Sequence, residues 1–309
     1  SAEDERFVAE LAARLGLTLH LTSVDTAAEA RRRRENLEQV GRKTRYQWFT
    51  QLRENGFTDK IAVGHTRSDQ AETVLFRLLR GSGSSGLAGI RPVLKSGVVR
   101  PLIGVGRDEV LRYLRSGGQP WREDSSNQNT AFDRNRIRVK LMPLLEKEWN
   151  PNIEATLARM ADCALAEEEY WESAIEPLRE RRIEQCPDGV YLRASEWKDL
   201  DVASQRRLLR SAVREVRGDL LGIDFVHLEA LRELVCSGRR SGTAALPGLQ
   251  AVRSFDRVRL ETPDSVHQRV KAEYCFDVAP PGEVPVPGGG TVLALKLLGG
   301  PICSMSIME

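Results

Sequence analysis

The sequence predicts an α/β fold: a partial doubly wound parallel sheet, then a helical domain and a small β-rich C-terminal part. Three observations predict it. Short apolar runs alternate with helical stripes through the first half. Asn150-Pro151 punctuates the chain, and one long helical pattern follows it. Beyond Ser237, Gly, Pro and β-branched residues dominate. The implied division is 1–149, 150–240 and 241–309. With 309 residues, 41% apolar and 29% charged, the chain can bury more than one core.

Each element has a local reason. Phe7, Val8, Leu11 and Leu15 form a helical stripe that Gly16 stops. Leu17, Leu19 and Leu21 alternate, so Leu17 to Val24 reads as a strand. Leu37 to Leu52 is helical, and Asn55-Gly56 ends it. Ile61-Ala62-Val63 is a short buried strand before Gly64. Ala71, Val74, Leu75 and Leu78 share one face of a helix over Asp69 to Arg80, closed by Gly81. Asp69 can cap that helix, with Glu72 three residues on at capping-box spacing. Val98 to Leu102 is a strand and Asp108 to Arg115 a helix. In the second half, Pro151 to Arg182, Val202 to Val216 and Phe225 to Val235 are helices. Val190 to Leu192, Val252 to Leu260 and Val266 to Val278 are strands, and residues 186–189 are a turn.

Composition excludes several classes. No apolar run reaches the ~20 residues of a membrane helix, and no secretory signal opens the chain. Cys163, Cys186, Cys236, Cys275 and Cys303 form no Cys-x-x-Cys pair, which fits a reducing cytoplasm and offers no metal site. Net charge is +2, but residues 1–150 carry 26 Lys+Arg against 19 Asp+Glu, net +7. Residues 151–309 carry 20 against 25, net −5. The basic half leans toward a polyanionic partner, although solvated charged faces give the same arithmetic.

Chemistry concentrates in Ile61 to Ile90, IAVGHTRSDQAETVLFRLLRGSGSSGLAGI. His65 falls at the carboxyl end of a parallel strand, where ligands bind in open sheets. Asp69 and Glu72 lie one turn apart, so their carboxylates can face one cation, or simply cap the helix. Gly81-Ser82-Gly83 can bring backbone N–H groups close to an anion, or be a plain loop. Arg42 and Arg45 share a face of the helix on which Trp48, Phe49 and Leu52 pack inward. That face can take phosphates and bases, or only solvent. Arg134, Arg136, Arg138 and Lys140 put four cations in seven residues, a density that suggests phosphate contact. Ile137, Leu141 and Leu144 packed inward would present Arg134 and Arg138 together.

GHTRSDQAETVLFRLLRGSGSSGLAGI, RKTRYQWF, WREDSSN and RNRIRVKLMP together resemble the tRNA(Ile)-lysidine synthetase family. That family lies within the PP-loop ATP pyrophosphatase superfamily, of adenine nucleotide α-hydrolase-like fold. The resemblance runs from about residue 5 to residue 143, with a weaker likeness at LPGLQAVRSFDRVRL. It implies an ATP-dependent ligase that adenylates the wobble cytidine of an isoleucine tRNA. Free L-lysine then replaces AMP, which shifts decoding from AUG to AUA. It assigns His65, Asp69 and Glu72 to catalysis, with the two carboxylates on the lysine ammonium. It assigns Arg42, Arg45, Arg134, Asn135, Arg136 and Arg138 to nucleotide and tRNA, and Gly81 and Gly83 stand beside them as candidate nucleotide-binding positions on their backbone chemistry. ATP and Mg²⁺ are the implied cofactors, the cytoplasm the implied compartment, and a homodimer is among the expectations.

Two departures stand out. The family's Ser-Gly-Gly-x-Asp-Ser phosphate loop is not in this sequence, so its segment is expected ahead of Ser1 and this chain alone is expected to be inactive. Ser68 stands where the family carries an acidic residue. The alternatives are a non-catalytic tRNA-binding fragment and a PP-loop tRNA thiolase, the latter usually requiring the Cys-x-x-Cys pair.

Overall fold

A computed structural model describes residues 2–122, 133–186, 189–263, 282–285 and 292–295. The chain divides into two compact units, residues 1–173 and 174–309.

The first unit opens with α1 (Ala2–Leu15), ended by Gly16 at φ +65° as its position predicts. Leu17 to Val24, expected as a strand, is irregular. Its Leu17, Leu21 and Val24 are exposed, and no described strand pairs with it. Alternation alone does not make a strand without a ladder partner. Next come α2 (Thr26–Arg33), capped by Asp25, and α3 (Leu37–Glu54). Strand β1 (Ile61–Ala62) runs parallel to β2 (Val98–Val99), with Ile61 opposite Val98. Between them lie α4 (Arg67–Leu79) and the single turn α5 (Ser84–Leu87). After β2 follow α6 (Arg107–Ser116), α7 (Asp133–Arg136), a π-helical turn (Ile137–Leu141) and α8 (Met142–Glu148). The predicted strand 98–102 is shorter because the chain turns at Arg100 to Gly104.

The core of this unit is Ala71, Val74 and Leu75 of α4 against Ile137, Met142, Leu157 and Ala161. Burying that face fixes α4 rigidly against the π turn. Leu78, expected on the same face, is exposed at the helix end, and Leu144 is exposed as well.

The unit boundary falls within α9 (Ile153–Arg182), the long helix expected after Pro151. The second unit holds one antiparallel sheet of order β3-β4-β7-β6-β5. Its strands are β3 (Ile183–Cys186), β4 (Gly189–Arg193), β5 (Ser241–Leu246), β6 (Leu249–Ser254) and β7 (Arg257–Glu261). The predicted single strand Val252 to Leu260 is thus two, joined by a tight hairpin in which Ser254 faces Arg257. Phe255 sits in the left-handed region at φ +53° there. Helices α10 (Val202–Arg217) and α11 (Phe225–Cys236) bury Leu208, Leu209, Val213, Leu231 and Val235. The same core takes Leu192, Val258 and Leu260 from the sheet. Arg253, almost fully buried, caps α11. Its Nη1 donates to the carbonyls of Leu234 (2.7 Å), Val235 (3.0 Å) and Ser237 (2.7 Å). A two-stranded hairpin, β8 (Gly282–Pro285) with β9 (Val292–Leu295), pairs Gly282 with Leu295. The expected strand 266–278 lies outside the described residues.

Candidate active site

The site sits at the carboxyl edge of the parallel pair, where the chain leaves β1 and β2 side by side. Val63 N–H donates to Val99 O at 2.9 Å, extending the ladder by one bond. Two residues later comes His65. One residue after β2 comes Arg100.

Helix α4 begins at Arg67, two residues earlier than predicted, and its N-cap is Thr66 rather than Asp69. Thr66 has extended backbone (φ −108°, ψ 175°), and its hydroxyl accepts from Asp69 N–H at 3.4 Å. Asp69 Oδ2 returns the bond, accepting from Thr66 N–H and Oγ1–H at 2.9 Å each. The capping box is therefore Thr66 with Asp69, which leaves Glu72 free of capping duty.

Glu72 is buried, its side chain 4% exposed. Arg138 Nε donates to its Oε1 at 2.6 Å and Nη2 to its Oε2 at 2.9 Å, a bidentate pair. Arg134 Nε approaches Oε2 at 3.4 Å. Both arginines also donate an Nη2 to Asp69 Oδ1 at 3.2 Å. Two carboxylates one turn apart thus face two guanidinium groups four residues apart. Arg134 and Arg138 are presented together, as the spacing predicted. Burial opposes the charge on Arg138, but the bond to Glu72 and the charges of Glu72 and Asp69 outweigh it and hold the guanidinium protonated. The 134–140 segment begins as α7, then widens into the π turn, whose buried Ile137 sets its depth. Arg136 turns outward and pairs with Asp133 at 2.9 Å. Asn135 is part-buried beside them.

His65 is half-buried, and its Nδ1 is enclosed without a hydrogen-bond partner. Burial depresses its pKa below the usual 6.5; Arg100 adds to this, and Arg134 and Arg42 add less, while Asp69 opposes. The imidazole is therefore uncharged at neutral pH. Arg42 is exposed on α3 with its guanidinium 5.1 Å from the Tyr46 ring. Arg45 is exposed one turn away, and no contact ties it to the centre among the described residues. Trp48, Phe49 and Leu52 are part-buried on the other side of α3.

The Gly-Ser segment is tied back to α4. Arg77 Nη1 donates to Gly86 O at 2.9 Å and Gly89 O at 2.8 Å. Gln70 Oε1 accepts from Ile90 N–H at 2.6 Å. Gly81 has φ +77°, which explains a glycine there. A Cβ at Gly83 would meet nothing within 4 Å, so no close approach demands glycine at that position.

Several participants carried no sequence signal. Arg100 is buried yet belongs to no motif. Ser68 Oγ donates to Glu154 Oε2 at 2.8 Å, and Arg67 Nε donates to Glu154 Oε1 at 2.9 Å, so a carboxylate from α9 stands beside position 68. A cleft of about 620 Å³ adjoins Glu72 and Arg138 and is walled by Arg107, Asp108 and Glu146. Burial, Glu154 and Asp108 raise the Glu146 carboxyl above its usual range. Among the described residues no three His, Cys, Asp or Glu gather to hold a metal, and the oxygens of Asp69 and Glu72 are taken by arginine. The described side chains therefore do not fit a resident Mg²⁺. Most of the WREDSSN segment falls in residues 123–132, outside the described residues. No described helix is long and apolar enough to cross a membrane.

Residues 1–145 match the family model of the PP-loop domain, and residues 192–259 that of the TilS substrate binding domain. The tRNA(Ile)-lysidine synthase of Solibacter usitatus is 43% identical over 298 residues, 96% of this chain and 65% of the relative. That of Geobacter sulfurreducens is 36% identical over 84% of this chain and 55% of its own. That of Thermosynechococcus vestitus is 32% identical over 83% of this chain and 72% of its own. The chain spans between 55% and 65% of the first two of these relatives. With both domain models in the family's order and this identity along nearly its whole length, the chain belongs to the tRNA(Ile)-lysidine synthase family.

Proposed function

We propose that the full-length protein performs the family reaction: ATP-dependent ligation of free L-lysine to the wobble cytidine of an isoleucine tRNA, in the cytoplasm. ATP adenylates the exocyclic carbonyl oxygen of the cytosine and releases pyrophosphate. The lysine ε-amine then attacks the activated ring carbon, and AMP leaves. On this reading residues 1–149 are catalytic, 150–240 form the helical tRNA-substrate domain, and 241–309 add a β-rich segment.

One observation carries the reading. His65, Asp69 and Glu72 from one segment and Arg134 and Arg138 from another, more than 60 residues on, meet at the carboxyl edge of a parallel strand pair. The uncharged imidazole of His65 can take the proton that the lysine ammonium must lose before attack. Arg42, Arg134 and Arg138 offer fixed cations for phosphate charge. Asp69 and Glu72 hold those arginines in place before substrate arrives. As the arginines turn to phosphate, the carboxylates become available to the lysine ammonium. Arg45, Asn135, Arg136, Gly81 and Gly83 belong to the surrounding nucleotide and tRNA surface. Mg²⁺ would travel on the ATP phosphates, and no step above depends on it.

The test is incorporation of labelled lysine into isoleucine tRNA by the full-length protein. Asp69→Asn should abolish incorporation and leave tRNA binding intact. Undiminished incorporation would reject the role of Asp69, and loss of both would make it a structural residue.

A further inference from the structure

Arg100 is buried, with only 3% of its surface exposed. No carboxylate pairs with it among the described residues. Its Nη1 donates to Arg91 O at 2.5 Å and its Nη2 to the Tyr46 hydroxyl at 2.8 Å, while its Nε is enclosed without a partner. A buried cation without a counter-charge is costly, and fold stability is better served by an apolar side chain. The chain keeps a guanidinium there nevertheless, one residue past β2, beside the strand whose end carries His65. Tyr46 stands on α3 between Arg42 and the aromatic Phe49, whose ring centroid is 5.8 Å from its own. Arg100 thus joins three things at one point: the end of β2, the basic helix α3 and the neighbourhood of His65.

We propose that Arg100 is a positioning residue of the active centre, which ties α3 to the carboxyl edge of the sheet through Tyr46 and presents a fixed positive charge to His65. The inference rests on the reading of His65 as an active-site group, but its test reads His65 itself and needs no turnover.

The physical argument has two parts. Mechanically, the bond to Tyr46 sets how far Arg42 stands from the imidazole, so the phosphate-facing helix and the proton-accepting side chain address one substrate. Electrostatically, four charged groups face His65: Arg42 from α3, Asp69 from α4, Arg134 from α7 and Arg100 from the end of β2. Asp69 favours imidazolium, and the three arginines oppose it. Arg42 lies in solvent and is screened, and Arg134 is shared with the two carboxylates. Arg100 is the cation among them whose field is neither screened nor spent on a carboxylate. It adds to burial in keeping the imidazole uncharged and able to accept a proton, against the opposing charge of Asp69.

The experiment is a pH titration of the His65 imidazole by NMR in the full chain labelled at histidine, with His65→Gln identifying the signal. Arg100→Gln keeps a donor for Tyr46 and removes the charge. It should move the His65 midpoint upward, and Arg100→Lys should return it toward the parent value. A midpoint that Arg100→Gln leaves unmoved overturns the proposal. If Arg100→Gln does not fold, Tyr46→Phe decides. It should speed amide hydrogen exchange on α3 around residue 46 and leave α4 unchanged, and unaltered exchange on α3 overturns the tether. Loss of lysine incorporation with the His65 midpoint shifted as expected would concern the reaction and leave the placement of Arg100 standing.

Discussion

Replacing Arg138 with Met tests how the centre is held together. The substitution keeps most of the stem and removes both bonds to Glu72, the 2.6 Å bond from Nε and the 2.9 Å bond from Nη2. Glu72, 4% exposed, then keeps only Arg134 Nε at 3.4 Å. Stranding one member of a buried pair costs about 3–5 kcal/mol. The remaining arginine offsets part of this, which favours the lower end, about 3 kcal/mol. The first unit spans residues 1–173. For domains of that size each kcal/mol moves Tm by about 2–4 °C, so the loss should be about 6–12 °C. Thermal unfolding followed by circular dichroism at pH 7 reads it. Glu72→Leu combined with Arg138→Met removes both charges and should recover most of the stability, because no ion is then left alone in the core. The difference should change little with added salt, since the pair is shielded from counterions. An Arg138→Met protein that melts within about 2 °C of the parent would refute the argument, because Glu72 would then not depend on that guanidinium.

Gly89→Ala should destabilise the first unit by about 1–3 kcal/mol, because φ is +59° and the new Cβ would fall 2.5 Å from Gln70 Oε1. Urea unfolding measures the loss, and faster proteolysis across residues 81–90 should accompany it. In the second unit, Arg253→Met leaves three carbonyls at the end of α11 without their donor. It should cost about 1–3 kcal/mol in the same assay, and Arg253→Lys should cost less.

Much of the fold was legible because periodicity reports burial. The stripe of α4, the long helix after Pro151 and the amphipathic α10 and α11 all appear where their apolar spacing put them. Patterns that depend on a partner elsewhere were harder to read. Leu17 to Val24 alternates as a strand does, but no described strand pairs with it. Val252 to Leu260 reads as one run because a two-residue hairpin needs only Phe255 to adopt the left-handed region, and Phe carries no glycine-like signal for it. At the α4 start, Thr66 and Asp69 are both good caps, and the choice was made by backbone geometry that spacing does not encode. The site followed the same rule. Asp69 with Glu72, and Arg134 with Arg138, were visible as local pairs. That one pair would neutralise the other is a long-range fact, set by the packing of α4 against Ile137. Arg100 was invisible because its meaning lies in burial beside His65.

The double engagement of Asp69 has a consequence for anyone who mutates it. One oxygen starts a helix and the other faces the arginines, so a single side chain serves both scaffold and chemistry. Alanine would erase both duties at once, and the resulting dead protein would not say which had mattered. Asparagine keeps an acceptor for the helix start while discharging the other function, so it separates a collapsed doorway from an unlit room.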